Sequence, residues 1–487
     1  MIPLVCRPLA IAGVLASLAL PAAAQWSPDS NVNNPVVVAA DTQSPAIAVS
    51  DGAGGTIVVW KYARFDAGTF EFFYSARAQR LDAVGNPMWA AGGVALAGET
   101  LHALSTLVAP PMAAVADGAG GAIVAWRDAR NDFGDIFAQR ISGAGTLSWG
   151  ATGLAIAAAT GVQLRPNVIA DGAGGAIFTW QDPRNGVGNT DVYAQRVNAA
   201  GVSQWAANGV AVCSESGDQL QPALVSDGAG GAILAWSDLR TGVQQIYAQR
   251  IDGAAGLGQW VLPGVLITAT EPGLKGRPVL ASDGASGAVV AWEDSRNGAN
   301  NDVYAQRLSA AGAPLWTASG VQVASTDNAG TPAIVSDGAA GAIVAWVDDR
   351  NGASDVFAQR LDAAGAPQWT ANGIAVCVAA GGQIFPAAVS DGAGGVILGW
   401  DDGRNGANDV FAQRLDGTGA ALWAADGRPV STAAADQSGV SVATDGAGGG
   451  IFAWADSRNA GTGIDVYAAH VNAAGALPVT LERFAIE

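Results

Sequence analysis

The chain has 487 residues, half of them hydrophobic, and a formal net charge of −18 at pH 7. Because such an acidic chain is repelled by nucleic acid and by anionic membrane surfaces, neither is expected as a partner. The two histidines, His102 and His470, are isolated in the sequence. Ser-His-Asp triads, Cys-His pairs and histidine-based zinc sites are therefore not predicted.

The first segment of the chain is typical of export. Arg7 precedes an apolar run over residues 9–20, and three alanines at 22–24 fit a small-residue cleavage site before Gln25. Residues 1–24 are therefore predicted to be a secretory signal peptide, and the mature protein to be secreted or periplasmic. No later stretch is long and apolar enough to span a bilayer, so membrane insertion is not expected.

From about residue 36 to residue 474 the chain repeats one unit. In the copy at residues 331–377, four short apolar runs are separated by turns rich in Gly, Asn and Asp, which predicts four strands per repeat. A regular period of this kind indicates a repeat architecture. The dipeptide Asp-Gly marks the copies at intervals of 54 to 66 residues, beginning at Asp51, Asp117, Asp171, Asp227, Asp283, Asp337, Asp391 and Asp445.

The second run of each repeat is apolar on both faces, which suits a strand covered on both sides. Eight four-stranded sheets covered in this way fit an all-β fold, an eight-bladed β-propeller of antiparallel blades, over residues 25–477. A solenoid would instead need atypical capping repeats. The last repeat stops after its third strand at 465–471, and a surplus strand near 36–39 resembles the fourth strand at 210–213. We therefore expect the N-terminal strand to complete the last blade and close the ring.

The tryptophans and the two cysteines outside the signal peptide are predicted to be buried core residues. Eight of the sixteen tryptophans fall in second strands and seven open fourth strands, while Trp26 lies in the segment that completes the last blade. Buried tryptophans of this kind contribute strongly to a core. Outside the signal peptide, Cys213 and Cys377 occupy equivalent positions three blades apart, too far for a disulfide. The protein is expected to be monomeric and to use no cofactor.

The string W-x-D-x-R-N-G-x-x-D, for example from Trp292 to Asp302, has the outline of a calcium loop. A calcium loop offers an oxygen at its third position, whereas Arg296 places a cation there. Alternating positions of a strand share one face, so Asp294 and Arg296 are expected to pair with each other. No metal site is predicted.

The whole unit is similar to the W-x-D-x-R-N-G-x-x-D-[VI]-[YF]-A-Q-R repeats of exported bacterial proteins whose role is mostly undefined. This resemblance implies the architecture and carries no reaction with it. The turn at residues 360–369, repeated at 308–316 and 415–423, also resembles the tryptophan-docking turn of eight-bladed pyrroloquinoline-quinone-type propellers. The Thr-Gly-Lys of that family's motif and its adjacent Cys pair are absent from the sequence.

The first repeat departs most from the pattern. Lys61 and Tyr62 follow Trp60 where the other repeats have x-Asp, and the next loop carries an insertion. In a propeller this loop and the link to the next blade emerge on one face, so both irregular segments should lie together. The alternative is that the inserted rings only seal a wide gap. The predicted ligand-binding residues are Phe65, Asp66, Phe70, Glu71, Phe72, Phe73, Tyr74, Glu99 and His102.

Two classes of function remain. The first is an exported, non-catalytic binding or scaffold propeller with a glycan or protein ligand. The second is a carbohydrate-active enzyme, of glycoside hydrolase or lyase type, using the carboxylates Asp66, Glu71 and Glu99 near the first blade. Hydrolysis would need carboxyl groups ~5–5.5 Å or ~6.5–9.5 Å apart. No catalytic residue is assigned.

Residues 478–487 do not follow the repeat pattern. They are expected to form an extra edge strand or to be the remnant of a linker.

Overall fold

The computed structural model describes residues 26–102, 112–131, 134–268, 272–298, 300–326 and 328–478. The predicted signal peptide and residues 479–487 of the predicted tail lie outside these ranges. All the regular structure within them is β-strand. The described chain therefore has no helix that could cross a bilayer.

The strands form eight separate antiparallel sheets, as predicted for an eight-bladed propeller. Seven sheets have four strands and the first has a fifth. The strands are, for blade 1, β2 Thr42–Ser50, β3 Thr56–Asp66, β4 Glu71–Leu81, β5 Val94–Ala95 and β6 Thr100–His102; for blade 2, β7 Met112–Ala116, β8 Ala122–Asp128, β9 Asp135–Ile141 and β10 Leu154–Ala157; for blade 3, β11 Leu164–Ala170, β12 Ala176–Asp182, β13 Asp191–Val197 and β14 Val210–Cys213; for blade 4, β15 Gln219–Ser226, β16 Ala232–Asp238, β17 Gln245–Ile251 and β18 Val265–Leu266; for blade 5, β19 Lys275–Ser282, β20 Ala288–Asp294, β21 Asp302–Leu308 and β22 Val321–Ala324; for blade 6, β23 Gly330–Ser336, β24 Ala342–Asp348, β25 Asp355–Leu361 and β26 Ile374–Cys377; for blade 7, β27 Gln383–Ser390, β28 Val396–Asp402, β29 Asp409–Leu415 and β30 Arg428–Ser431; and for blade 8, β31 Gln437–Thr444, β32 Gly450–Asp456, β33 Asp465–Val471 and β1 Asn34–Val37.

The first strand of each blade faces the centre of the ring. Each of these strands contacts the first strand of the next blade, and β31 of blade 8 contacts β2 of blade 1. The ring is therefore closed rather than stacked as an open solenoid.

The core is divided among the interfaces between blades. In β24, Val344 and Trp346 pack toward blade 5, whereas Ile343 and Ala345 pack toward blade 7. Successive side chains of a strand point to opposite faces, so one apolar strand fills two interfaces. This arrangement explains why second strands carry apolar side chains on both faces.

The Asp and Arg of the W-x-D-x-R string pair as expected. In blade 5, Asp294 accepts hydrogen bonds from Trp292 Nε1 at 2.9 Å and from the Arg296 backbone at 2.9 Å, and it pairs with the Arg296 guanidinium. That guanidinium lies 3.8 Å above the ring of Tyr304. Equivalent ion pairs occur in all seven blades that carry the string.

The Arg of A-Q-R links each of blades 1–7 to the next blade, whereas blade 8 has His470 at this place. In blade 6, Arg360 Nη2 lies 3.0 Å from Asp337 of its own blade, and Arg360 Nη1 donates to the carbonyl of Gly417 in blade 7 at 2.8 Å. The Asp of Asp-Gly is therefore both a turn residue and an anchor for arginine.

The tryptophans predicted to open the fourth strands instead lie in the turns just before them, since β22 begins at Val321, five residues after Trp316. They make a similar link: Trp316 Nε1 donates to the carbonyl of Ala363 at 3.1 Å.

The N-terminal strand completes blade 8, but two residues earlier than predicted. Residues 36–39 were expected to pair, whereas the observed strand is Asn34–Val37, with Asn34 opposite Ala468. The cause is Asn33, whose φ of 49° takes the left-handed place that Gly209 occupies in blade 3. The side-chain amide of Asn33 donates a hydrogen bond to the carbonyl of Val430 at 2.8 Å.

Cys213 and Cys377 are free and buried, in β14 and β26. They hold equivalent positions opposite Val192 and Val356. Burial raises the pKa of both thiols to about 12, so neither supplies a thiolate at neutral pH.

Candidate functional site

Blade 1 carries a long hairpin. Strands β3 and β4 have 11 residues each, whereas the second and third strands of blades 2–8 have seven. The short strand β6 pairs with β4, placing His102 opposite Phe72 and Leu101 opposite Phe73. The lengthened link to blade 2 therefore lies beside the inserted residues, as expected.

One face of this hairpin is aromatic. The rings of Phe65 and Phe72 lie 4.9 Å apart, and those of Phe72 and Tyr74 lie 6.2 Å apart at an interplanar angle of 15°. Phe70, in the turn, contacts Phe65 edge-on at 6.4 Å. Phe65 is 44% exposed and Phe70 is 64% exposed. We call Phe65, Phe70, Phe72 and Tyr74 the aromatic ledge; two of its four rings are exposed to solvent.

The other face of the hairpin is charged. Arg64 lies 3.3 Å from Asp66 and 3.1 Å from Glu99, and its guanidinium lies 4.5 Å above the ring of Phe73. Strand alternation therefore separates Asp66, Phe73 and Glu99 from the ledge. Glu71 lies opposite Asp66 at the tip of the hairpin.

A cleft of about 300 Å³ lies beside the ledge. Its polar groups come from the inner end of β2 and from Lys61 on β3. Asp41 accepts a hydrogen bond from the Tyr62 hydroxyl at 2.8 Å, and burial together with this bond raises the pKa of Tyr62 to about 12. The cleft is lined by Asp41, Thr42, Ser44, Lys61, Ala63, Phe65, Phe72, Tyr74 and Ile464.

Lys61 is an unusual lysine. Its side chain is buried, and its Nζ lies 4.3 Å from the centre of the Tyr74 ring. Burial, and then the charge of Arg127, lowers the pKa of Lys61 to about 7. By contrast, Lys275 donates to the carbonyls of Pro272 and Gly273 at 3.0 and 3.1 Å.

The depressed pKa of Lys61 predicts a pH-dependent stability. The unfolded chain holds this proton up to about pH 10.5 and the folded chain only up to about 7, so folding is penalised below pH 7 and the penalty disappears as the pH rises toward 10.5. Lys61→Met is expected to raise the free energy of unfolding at pH 6.5, on the order of a few kcal/mol, and by less at pH 9.5. Urea unfolding at both pH values measures this.

Lys275→Met is the matched control for that experiment. It removes a buried ammonium that donates to carbonyls, so it should destabilise the protein at both pH values. An equal effect of Lys61→Met at pH 6.5 and pH 9.5 would contradict the depressed pKa.

A second, larger cavity of about 690 Å³ opens at the central channel and was not predicted. The first strands of blades 3–8 each bulge near their beginning. The residue at the bulge has a φ between 48° and 66° in each of these blades. We call these residues the bulge ring: Arg165, Gln221, Arg277, Thr331, Phe385 and Gly439.

A sequence signal for this ring exists. Proline follows the first five members, at Pro166, Pro222, Pro278, Pro332 and Pro386. In blade 6 the first strand begins at Gly330 and so includes Thr331, the residue before the proline.

The ring and the ledge open on the same face of the disc. First strands begin, and second strands end, on the side where the β3–β4 hairpin projects. Ser44, which precedes Pro45 at the bulge of β2, lines the cleft beside the ledge. The cleft therefore borders the same channel as the larger cavity.

Comparisons with known proteins give no family. No protein-family model matches the chain, and no curated protein matches it. Among solved structures, an α-L-arabinanase of Penicillium chrysogenum is 12% identical over 76% of this chain and 98% of its own, with a TM-score of 0.40. An ulvan lyase is 9% identical over 74% and 92%, at 0.45, and TolB of Acinetobacter baumannii is 14% identical over 74% and 78%, at 0.34. At these identities and TM-scores, none of the three bears on the function of this chain.

Proposed function

We propose that the protein is an exported, non-catalytic binding propeller that holds a glycan on the aromatic ledge. The observation that supports this proposal is the set of neighbouring rings, two of them exposed, beside a cleft of about 300 Å³. Ring faces pack against the apolar faces of sugars. The polar groups of Asp41, Thr42 and Ser44 in the cleft would orient sugar hydroxyls.

The charged face of the hairpin argues against the hydrolase alternative. A glycosidase needs a carboxylic acid with a raised pKa. Hydrogen bonds from the backbone of Gly68 and Thr69, with Arg64, instead lower the pKa of Asp66. Asp66 and Glu99 share that one guanidinium, on the face turned away from the ledge. A sugar lying on the ledge would meet neither carboxylate.

The test is a glycan-array screen of the mature protein, followed by titration of the best glycan. Replacing Phe65 and Phe70 together by alanine should weaken binding about tenfold or more, since two exposed stacking rings are lost. Both side chains are exposed, so the variant should keep the unfolding temperature of the wild type.

The matched control is the double variant Asp66→Asn with Glu99→Gln, which should bind the glycan as the wild type does. Unchanged binding by the phenylalanine variant would refute the ledge as the site. Release of reducing sugar by the wild type and not by the carboxylate variant would establish the enzyme instead. Binding only to a protein partner would refute the glycan.

A further inference from the structure

We infer that the central cavity framed by the bulge ring is a second binding site, and that it selects ligands with a carboxylate attached to a ring. This inference does not rest on glycan binding at the aromatic ledge. It concerns different residues, on blades 3–7 rather than blade 1.

The cavity has the size and walls of a ligand site. Its volume of about 690 Å³ falls within the ~300–1,000 Å³ usual for small-molecule pockets. Five consecutive blades each contribute one bulge-ring side chain and the proline that follows it. The proline rings form an apolar wall, and the bulge-ring side chains add charged, polar and aromatic groups to it.

The bulges direct these side chains out of the sheet ladder. Each bulge adds one residue to the first strand; in blade 5, for example, the pairing shifts between Gly276 and Val279. A non-glycine residue in the left-handed region carries a conformational cost. Bulges of this kind commonly re-aim a side chain toward a functional site. Five consecutive blades carry this cost around one cavity.

The ring varies where the rest of the repeat is constant. The Trp, Asp and Arg positions carry the same residues in blade after blade. The bulge ring instead carries Arg, Gln, Arg, Thr and Phe around the cavity wall. A constant scaffold that presents different side chains at one level can make a specific contact from every blade.

The charge on the cavity wall is positive within an acidic protein. Arg165 is exposed and makes no ion pair or hydrogen bond within the described residues. Arg277 lies 3.3 Å from Glu293, yet its side chain stays 54% exposed and retains donors for a ligand. No carboxylate is among the described residues that line the cavity.

The carboxylates behind the wall are occupied. Glu293 accepts a hydrogen bond from the Thr331 backbone at 2.7 Å, and Asp401 accepts one from the Gly439 backbone at 2.8 Å. Burial raises the pKa of Asp401 to about 6, so this carboxyl is still mainly ionised at neutral pH, and its charge is met by the backbone amides of Gly439 and Val440. The wall therefore presents arginine forks, which match the geometry of a carboxylate.

Phe385 restricts the ligand further. Its side chain is 58% exposed and lines the cavity together with Arg165 and Arg277. An exposed ring in a cavity that also presents guanidinium groups suits a ligand that combines a flat or apolar ring face with an anion. A hexuronic acid unit has this combination and serves as the probe.

The experiment is calorimetric titration of the mature protein with a galacturonic acid trimer and with the neutral galactose trimer. The acidic trimer should bind about tenfold or more tightly than the neutral one, and added salt should reduce the difference. Equal binding of the two trimers, or no binding of the acidic one, would overturn the inference.

Variants then locate the site. Arg165→Gln should weaken binding of the acidic trimer about tenfold; because Arg165 has no protein partner, the variant should unfold at the wild-type temperature. Phe385→Ala should weaken binding as well. The matched control is Phe70→Ala on the ledge, which should bind normally. If Arg165→Gln binds normally while Phe70→Ala does not, the acid sits on the ledge; the inference is then wrong while the proposed function stands.

Discussion

Deletion of residues 26–38 is expected to lower the free energy of unfolding by about 5 kcal/mol or more, because it removes the strand that completes blade 8. The loss includes the buried side chains of Trp26, Val36 and Val37 and the ladder between β1 and β33. It also exposes β33 as an open edge. Urea or thermal unfolding of the two proteins, followed by tryptophan fluorescence, measures the effect.

Specific polar contacts make this segment more than a generic strand. Trp26 Nε1 donates to the carbonyl of Ala83 in blade 1 at 2.9 Å. Arg458 of blade 8 donates to the Val32 carbonyl and to the Asn33 side-chain oxygen, both at 2.9 Å. The segment is therefore bonded both to blade 1, through Trp26, and to the rest of blade 8, through Arg458.

A chain in which residues 26–38 follow residue 478 is the matched control. The fourth strand of blade 8 would then follow its third strand directly, as in blades 2–7, and stability should return toward the wild-type value. A deletion variant as stable as the wild type would refute the role of the segment in closing the ring.

Asp294→Ala is expected to lower the free energy of unfolding by about 3–5 kcal/mol, because it removes the carboxylate paired with the largely buried Arg296 guanidinium, which keeps a carbonyl and a ring as neighbours. Arg296 is only 7% exposed, and Trp292 Nε1 would also lose its acceptor. Asp294→Asn should cost less, since the amide oxygen can still accept one of these hydrogen bonds. Urea unfolding measures all three proteins.

Two further measurements separate ion pairing from metal binding. Replacing Asp294 and Arg296 together by leucine should cost less than Asp294→Ala, since the guanidinium is removed together with its carboxylate. EDTA should leave the unfolding temperature of the wild type unchanged. A clear fall in EDTA would favour calcium at this string.

The fold could be predicted because its signals are local and repeated. The period, the turns and the tryptophans together specify eight blades, and the missing last strand indicates where the ring closes. The exact register between the N-terminal strand and β33 could not be predicted, because Asn33 adopts the left-handed conformation that glycine adopts at this place in the other blades. Residue type alone does not show that substitution.

The candidate site was harder to predict, for two physical reasons. The inserted residues of blade 1 could be located, but their sides depend on the hairpin register, which places Phe72 and Asp66 on opposite faces. The bulge ring was missed because its six members belong to five different residue types. A position that varies among the repeats, as the place of Arg165 and Phe385 does, is overlooked when repeats are compared only for the residues they share.

Ring closure also sets an order of events during synthesis. Seven of the eight apolar interfaces join blades adjacent in sequence, so each can form as soon as its second blade is free to fold. The eighth joins Trp26 and Val36 to Ile451 and Val466, more than 400 residues later. Pairing between such distant segments is slow, because the entropy of closing a long loop is lost before the stabilising contacts form. The N-terminal segment is made first and buried last, and until then it is the part of the chain most open to proteases.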